Sequence, residues 1–139
     1  MTIGGDREYI SIPVMATNNF EGDDKLGRAV TRGGDFADDG LTALGVCLQQ
    51  VNSGQPMSIG IFGVLKYRPI NVVSAGYKLS VTTSGFFQAA AADTYGVGFA
   101  LGQSSNDDAN TSSGALATGF LNFATRDFID ALSGGLLVG

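Results

Sequence analysis

The sequence predicts an all-β fold, a small β-barrel or β-sandwich with a short C-terminal helical turn and extended terminal arms. Three observations carry this. Short apolar runs recur at residues 44–48, 57–65, 77–81 and 96–101, each bounded by turn-forming residues. Within the runs the apolar positions fall mostly at every second residue, the period of a strand with one buried face. The chain also holds 21 glycines in 139 residues, placed largely between or at the ends of those runs.

The first strand candidate is the segment in which Ile10, Ile12 and Val14 alternate with Ser11 and Pro13. Pro13 donates no ladder hydrogen bond and belongs on an edge or at a strand end. Farther on, Leu41, Leu44, Leu48 and Val51 would share one stripe of a helix, but Gly45 interrupts it and Val46 and Leu48 suit a strand, which is the favoured assignment. The next run opens with alternation, Met57, Ile59 and Ile61 against Ser58 and Gly60. It then turns continuously apolar through Phe62 to Leu65, as a strand buried on both faces would. Tyr77, Leu79 and Val81 alternate with Lys78, Ser80 and Thr82. Turn signals separate the runs: Asn18-Asn19, Gly33-Gly34, Asn52-Ser53-Gly54, Ser74-Ala75-Gly76 and Ser84-Gly85.

A short internal repeat supports the β reading. Gly45-Val46 followed by Gly60-Ile61-Phe62 has a counterpart in Gly96-Val97 followed by Gly119-Phe120-Leu121, a strand, a loop and a returning strand with a longer loop in the second copy. Two such pairs curling toward one another make a sandwich or a barrel. Near the end, Thr125 or Asp127 caps a helical turn or two containing Phe128, Ile129 and Leu132, with Gly134-Gly135 as the stop. The expected organisation is an N-terminal arm or first strand over residues 1–19, a β-domain over 20–124 and a C-terminal extension over 125–139. A chain of this length buries roughly 68% of the surface its unfolded form exposes, enough for one core.

Composition narrows the function. There is no histidine, so Ser-His-Asp and Cys-His catalysis are excluded and acid–base work near neutrality would fall to shifted carboxylates or a lysine. One cysteine and no histidine provide no structural zinc ligand set and no intramolecular disulfide. The net charge is −5 and the eight basic residues are scattered, which argues against nucleic-acid binding. No run approaches the roughly 18 apolar residues that span a membrane, and the first residues lack the basic-then-apolar order of a secretory signal. Only 15% of residues are charged. The remaining polar surface is then made chiefly of Ser, Thr, Asn, Gln and Gly, which suits close backbone approach between molecules.

Candidate sites are few. The polar loop over residues 104–114 offers Asn106, Asp107, Asp108 and Asn110 as oxygen ligands, with Asp107 and Asp108 the metal candidates, but the spacing is not that of an EF-hand and a solvated hairpin loop is the preferred assignment. Asp23-Asp24 and Asp38-Asp39 read as turn residues. Cys47 in an apolar strand reads as a buried, inert thiol. Gly33-Gly34 and Gly96-Val97-Gly98 lack the lysine of a P-loop and the strand-to-helix setting of a dinucleotide site. No cofactor is expected. The apolar ends, Tyr9, Ile10, Ile12 and Val14 at one terminus and Leu136, Leu137 and Val138 at the other, are the candidate contact residues for a partner.

The succession of Leu26-Gly27-Arg28-Ala29-Val30, Leu44-Gly45-Val46, the run from Met57 to Val64, Ser74-Ala75-Gly76-Tyr77-Lys78-Leu79 with Gly85, Tyr95-Gly96-Val97-Gly98-Phe99-Ala100-Leu101, and residues 115–123 resembles the small decoration, or cement, proteins of tailed-bacteriophage capsids. The likeness covers residues from about 20 to 123 and rests on short, glycine-rich motifs. Tyr77 stands where the family turn often carries an acidic residue, and residues 125–139 extend past the matched core. The resemblance implies a β-barrel or sandwich on the outer face of a phage capsid, made in the host cytoplasm. It also implies a homo-oligomer, commonly a trimer, that stabilises the lattice through non-covalent contacts with major capsid protein.

Such a role requires no chemistry: binding only the assembled shell favours it by mass action at every site. The expectation is therefore a structural virion protein and not an enzyme. The alternative is a carbohydrate-binding or adhesin-like head-fibre module. Its weakness is the absence of tryptophan, although four tyrosines and nine phenylalanines could stack on sugars. A glycosidase with two carboxyl groups is the remaining class, and the carboxylates here lie chiefly in turns.

Overall fold

In the computed structural model, residues 8–91, 96–101 and 116–123 are described. They form eight strands: β1 Tyr9–Met15, β2 Ala29–Thr31, β3 Ala43–Cys47, β4 Pro56–Tyr67, β5 Lys78–Val81, β6 Phe87–Ala89, β7 Gly98–Ala100 and β8 Ala117–Asn122. The helical content among these residues is two single 3-10 turns, Asp23–Lys25 and Thr83–Gly85. The fold is all-β, one nearly closed, barrel-shaped sheet. The proposed C-terminal helical turn falls outside the described residues, as do Asp107, Asp108, Leu136, Leu137 and Val138.

All strand pairings are antiparallel, in the order β2-β3-β4-β8-β7-β5-β6, with β1 added on β4. The two halves of the internal repeat are paired strands: Val46 lies opposite Gly60 in β3–β4, and Ala100 opposite Gly119 in β7–β8. The twelve-residue β4 is the spine. It has three neighbours, and their registers show how two edges serve three strands. β1 overlaps β3 at Ile59 and Gly60 and overlaps β8 at Phe62 and Gly63, so it must occupy the edge opposite both. β3 and β8 therefore follow one another along the same edge of β4.

The change of partner coincides with a β-bulge. Ile10 pairs with Phe62 but Ser11 pairs with Gly60, leaving Ile61 as the extra residue on β4. A bulge shifts the two-residue period by one. Before it, Met57 and Ile59 enter one apolar cluster; after it, Leu65 and Tyr67 enter another. Gly63, just past the bulge, has φ +121 and lies against Tyr9, where a Cβ would come 2.7 Å from the Tyr9 Cα; a residue without a side chain is needed there.

The larger cluster fills the barrel with Val46, Leu65, Tyr67, Leu79, Phe87, Val97, Leu121 and Phe123 among others. The smaller one lies on the opposite face of the β1–β4–β3–β2 portion. There the loops contribute Ala16, Phe20, Leu26, Phe36 and Val51 over Met57, Ile59, Val30 and Cys47.

Barrel closure is made at Arg68 and Pro69, directly after β4. The Arg68 N–H donates to the Gly27 carbonyl (2.9 Å), and the Gly27 N–H donates to Cys47 (2.9 Å), which ties the approach to β2 onto the end of β4. From the far end of the sheet, the Phe87 N–H donates to the Arg68 carbonyl (3.0 Å) and the Ile70 N–H to Phe87 (2.8 Å), around a parallel bridge between Pro69 and Phe87.

Candidate functional site

The expected N-terminal contact residues sit on β1, hydrogen-bonded along β4, and they divide by environment. Tyr9 packs against the barrel core, Ile12 and Val14 pack against the smaller cluster, and Ile10 is 56% exposed. Of these four, Ile10 is the one whose side chain is largely offered to solvent.

Ile10 belongs to a larger apolar surface. Opposite it is Phe62 on β4; the Phe62 ring meets Phe120 of β8 edge-on at 5.5 Å between centroids, and Phe120 stacks on Phe99 of β7 at 5.7 Å with planes 18° apart. Phe99 is 44% exposed and Leu101, two residues on, is 46% exposed. Inward positions of β8 are Ala117, Gly119 and Leu121, followed by Phe123 just past the strand, so Phe120 points outward, as does its register partner Val64. An antiparallel sheet with one solvated face ordinarily carries polar side chains there. Here Ile10, Phe62, Val64, Phe120 and Phe99 place aliphatic and aromatic side chains there across four strands, with Asn122, opposite Phe62, the polar member of the row. The margins are polar: the Lys66 ammonium donates to the Thr118 hydroxyl at 2.8 Å, and Lys78 lies opposite Phe99. Beside Lys66, a groove of about 460 Å³ runs between Glu8, Tyr9, Leu48 and Thr118.

The sequence reading missed this surface. The continuous run from Phe62 to Leu65 was expected to be buried on both faces, yet Phe62 and Val64 are only partly buried. The available signal was the residue type at outward phase: aromatic rings at Phe62, Phe99 and Phe120, where alternation calls for polar groups.

The closure of the barrel concentrates the buried charge. Arg28 lies with its guanidinium 4.1 Å from the Phe86 ring centroid and 5.2 Å from that of Phe36, and 3.5 Å from an Asp24 carboxylate oxygen. Arg68 donates through Nε to the Leu26 carbonyl (3.1 Å) and through its terminal nitrogen to the Asp23 carbonyl. Burial pushes both guanidinium groups below their usual pKa, opposed by Asp24. Burial by itself would raise the Asp24 carboxyl, but the hydrogen bond and charge of Lys25, with the charge of Arg28, outweigh it and hold that group below its ordinary value. The 3-10 turn Asp23–Lys25 is thereby held on the barrel wall by two arginines. The arrangement is a clamp between chain segments; the Arg28 Nε is buried without a hydrogen-bond partner among the described residues.

Cys47 is buried, its thiol donating to the Gln49 carbonyl at 3.1 Å, and burial pushes its pKa up, the environment of an unreactive thiol. Asp23-Asp24 stands in the 3-10 turn. The Asp39 carboxylate accepts from the Thr42 N–H (2.9 Å) and Asp38 from the Ser84 N–H (2.9 Å), so both serve turns. Among the described residues, no three His, Cys, Asp or Glu side chains come together as a metal site.

No family model matches the chain, and no curated protein does. Among solved structures, the chain is similar in fold to the N base of the head fibre protein gp8.5 of bacteriophage phi29. That similarity has a TM-score of 0.59 at 14% identity and covers 82% of this chain and 94% of that one. The likeness spans nearly the whole of that phage module.

Proposed function

We propose that this protein is a structural component of a tailed-phage head, seated on the outer surface of the capsid and stabilising the shell by non-covalent contacts with major capsid protein. The observation that carries the reading is the shared fold with a phage head-fibre base over almost that entire module. The chemistry agrees with it. The buried charges are spent on holding chain segments together, as a structural part requires. Attachment to a repeating shell suits such a molecule, because a modest contact repeated at every lattice site adds up by mass action. Self-association as a trimer belongs to the same proposal, as does a virion location, and no catalytic role forms part of it.

A second reading, favoured by the same neighbour, makes the barrel the base of a head fibre. The two differ in what the isolated chain does. Purified protein is mixed with capsids of its own phage, sedimented, and the shells are then melted. Saturable co-sedimentation with a rise in shell melting temperature supports the stabilising role. Saturable binding with an unchanged melting temperature supports the fibre base, and failure to co-sediment overturns both.

A further inference from the structure

The two apolar clusters and the aromatic row divide the sheet in an uneven way. Over β1, β3 and the first half of β4, the face outside the barrel is covered by Phe20, Leu26, Phe36 and Val51 from the connecting loops. The bulge at Ile61 keeps that outward face continuous with Phe62 and Val64, so the aromatic row of β4, β8 and β7 is its extension. None of the covering residues of the smaller cluster comes from beyond the first half of the chain. The result is a two-part outer face with one part roofed and the other carrying Phe99 at 44% and Ile10 at 56% exposure. Contiguous exposed apolar surface of this kind marks a contact site.

We infer that this open half is the docking surface for the chain's own C-terminal segment, residues 124–139, bound in cis. Four stretches lie outside the described residues, and their compositions separate them. Residues 102–115 contain nothing larger than alanine among apolar side chains, residues 92–95 offer Tyr95, and residues 1–7 offer Met1 and Ile3. Residues 124–139 carry Phe128, Ile129, Leu132, Leu136, Leu137 and Val138. That segment also starts in the right place. It leaves from β8, the strand bearing Phe120; Asn122 is opposite Phe62, and the Phe123 N–H donates to the Ile61 carbonyl at 2.9 Å, at the junction of the roofed and open halves. From there β7 and β1 lie within about 10 Å to either side, two strand spacings at most, whereas sixteen extended residues reach roughly 50 Å. Tethering at the margin gives the segment a high effective concentration over the face, which a separate molecule lacks.

The test uses the full chain. In isotope-labelled protein, nuclear Overhauser contacts are sought between the Phe99 and Phe120 rings and the methyl groups of Leu136, Leu137 and Val138. They are expected, and they should persist within single molecules when labelled and unlabelled protein are mixed. In parallel, binding of a dye specific for apolar surface should rise several-fold in the double variant Leu136→Asp, Leu137→Asp and fall back when Phe99→Ser is added. The inference is overturned if the contacts are absent, if they occur only between different molecules, or if the unaltered protein already binds the dye as strongly as the double variant. Should the variants fail to fold, the contacts in the unaltered chain decide the matter.

Discussion

The Arg28 guanidinium rests 4.1 Å from the centre of the Phe86 ring, and this one contact joins the two extremes of the sheet, because Arg28 leads into β2 and Phe86 into β6. Arg28→Met should lower unfolding stability by about 2 kcal/mol, the scale of a desolvated cation–π contact. Arg28→Lys should recover little of it, since an ammonium cannot lie flat between Phe36 and Phe86. Chemical denaturation midpoints of the three proteins check this; equal stability of Arg28→Lys and the parent would show that charge alone matters.

Arg68 acts through different atoms. Arg68→Met removes the donors to the carbonyls of Leu26 and Asp23 while leaving the backbone bond to Gly27 intact. A loss of about 1.5–3 kcal/mol is expected for hydrogen bonds from a charged group. Faster amide exchange at Arg28 and Cys47, whose backbone bonds lie beside that closure, should accompany the loss.

The bulge makes a paired prediction. Gly63→Ala combines a positive φ with overlap on Tyr9, whereas Gly54→Ala has φ +89 and nothing within 4 Å. Gly54→Ala should cost about 1–2 kcal/mol, the left-handed penalty alone. Gly63→Ala should cost clearly more, measured in the same denaturation series. Equal losses would remove steric closeness at the bulge as the cause.

Stability should fall on the acid side in part through Asp24. Its carboxyl is held below the ordinary value of 3.8, so the folded state binds the proton less readily than the unfolded one. The stabilisation is complete above the unfolded pKa and disappears as pH drops through the lower folded one. Asp24→Asn should flatten the decline in melting temperature below about pH 4 relative to the parent. A parallel decline in both proteins would exclude Asp24 as a contributor.

Much of the strand pattern was legible. The run from Tyr77 to Val81 foretold a strand at β5, although Tyr77 lies exposed just before it and Ser80 is buried beside Leu79 and Val81. The choice of strand over helix at Leu44 to Leu48 agrees with β3, because Gly45 and Val46 fit a ladder and Gly45 sits against the Gly60 carbonyl. The bulge was not legible. Ile61 looks like any other apolar residue of a strand, and its extra place in the count exists only relative to Ser11, some fifty residues away in sequence. With the phase shift hidden, the outward positions of Phe62 and Val64 were hidden too. Arg28 and Arg68 read as scattered basic residues because the contacts that give them a purpose are made only at barrel closure.

The sharing of one β4 edge by β3 and β8 has a consequence for the order of assembly. As the chain emerges from synthesis, β1, β3 and the first half of β4 can pair among nearby residues, but positions Phe62 to Tyr67 must wait for residues 117–122 before that edge is filled. Closing so long a loop is slow, and an unfilled edge is sticky in the meantime. The stretch between β4 and β8 is thus the span during which a nascent molecule is most exposed to pairing with the wrong strand.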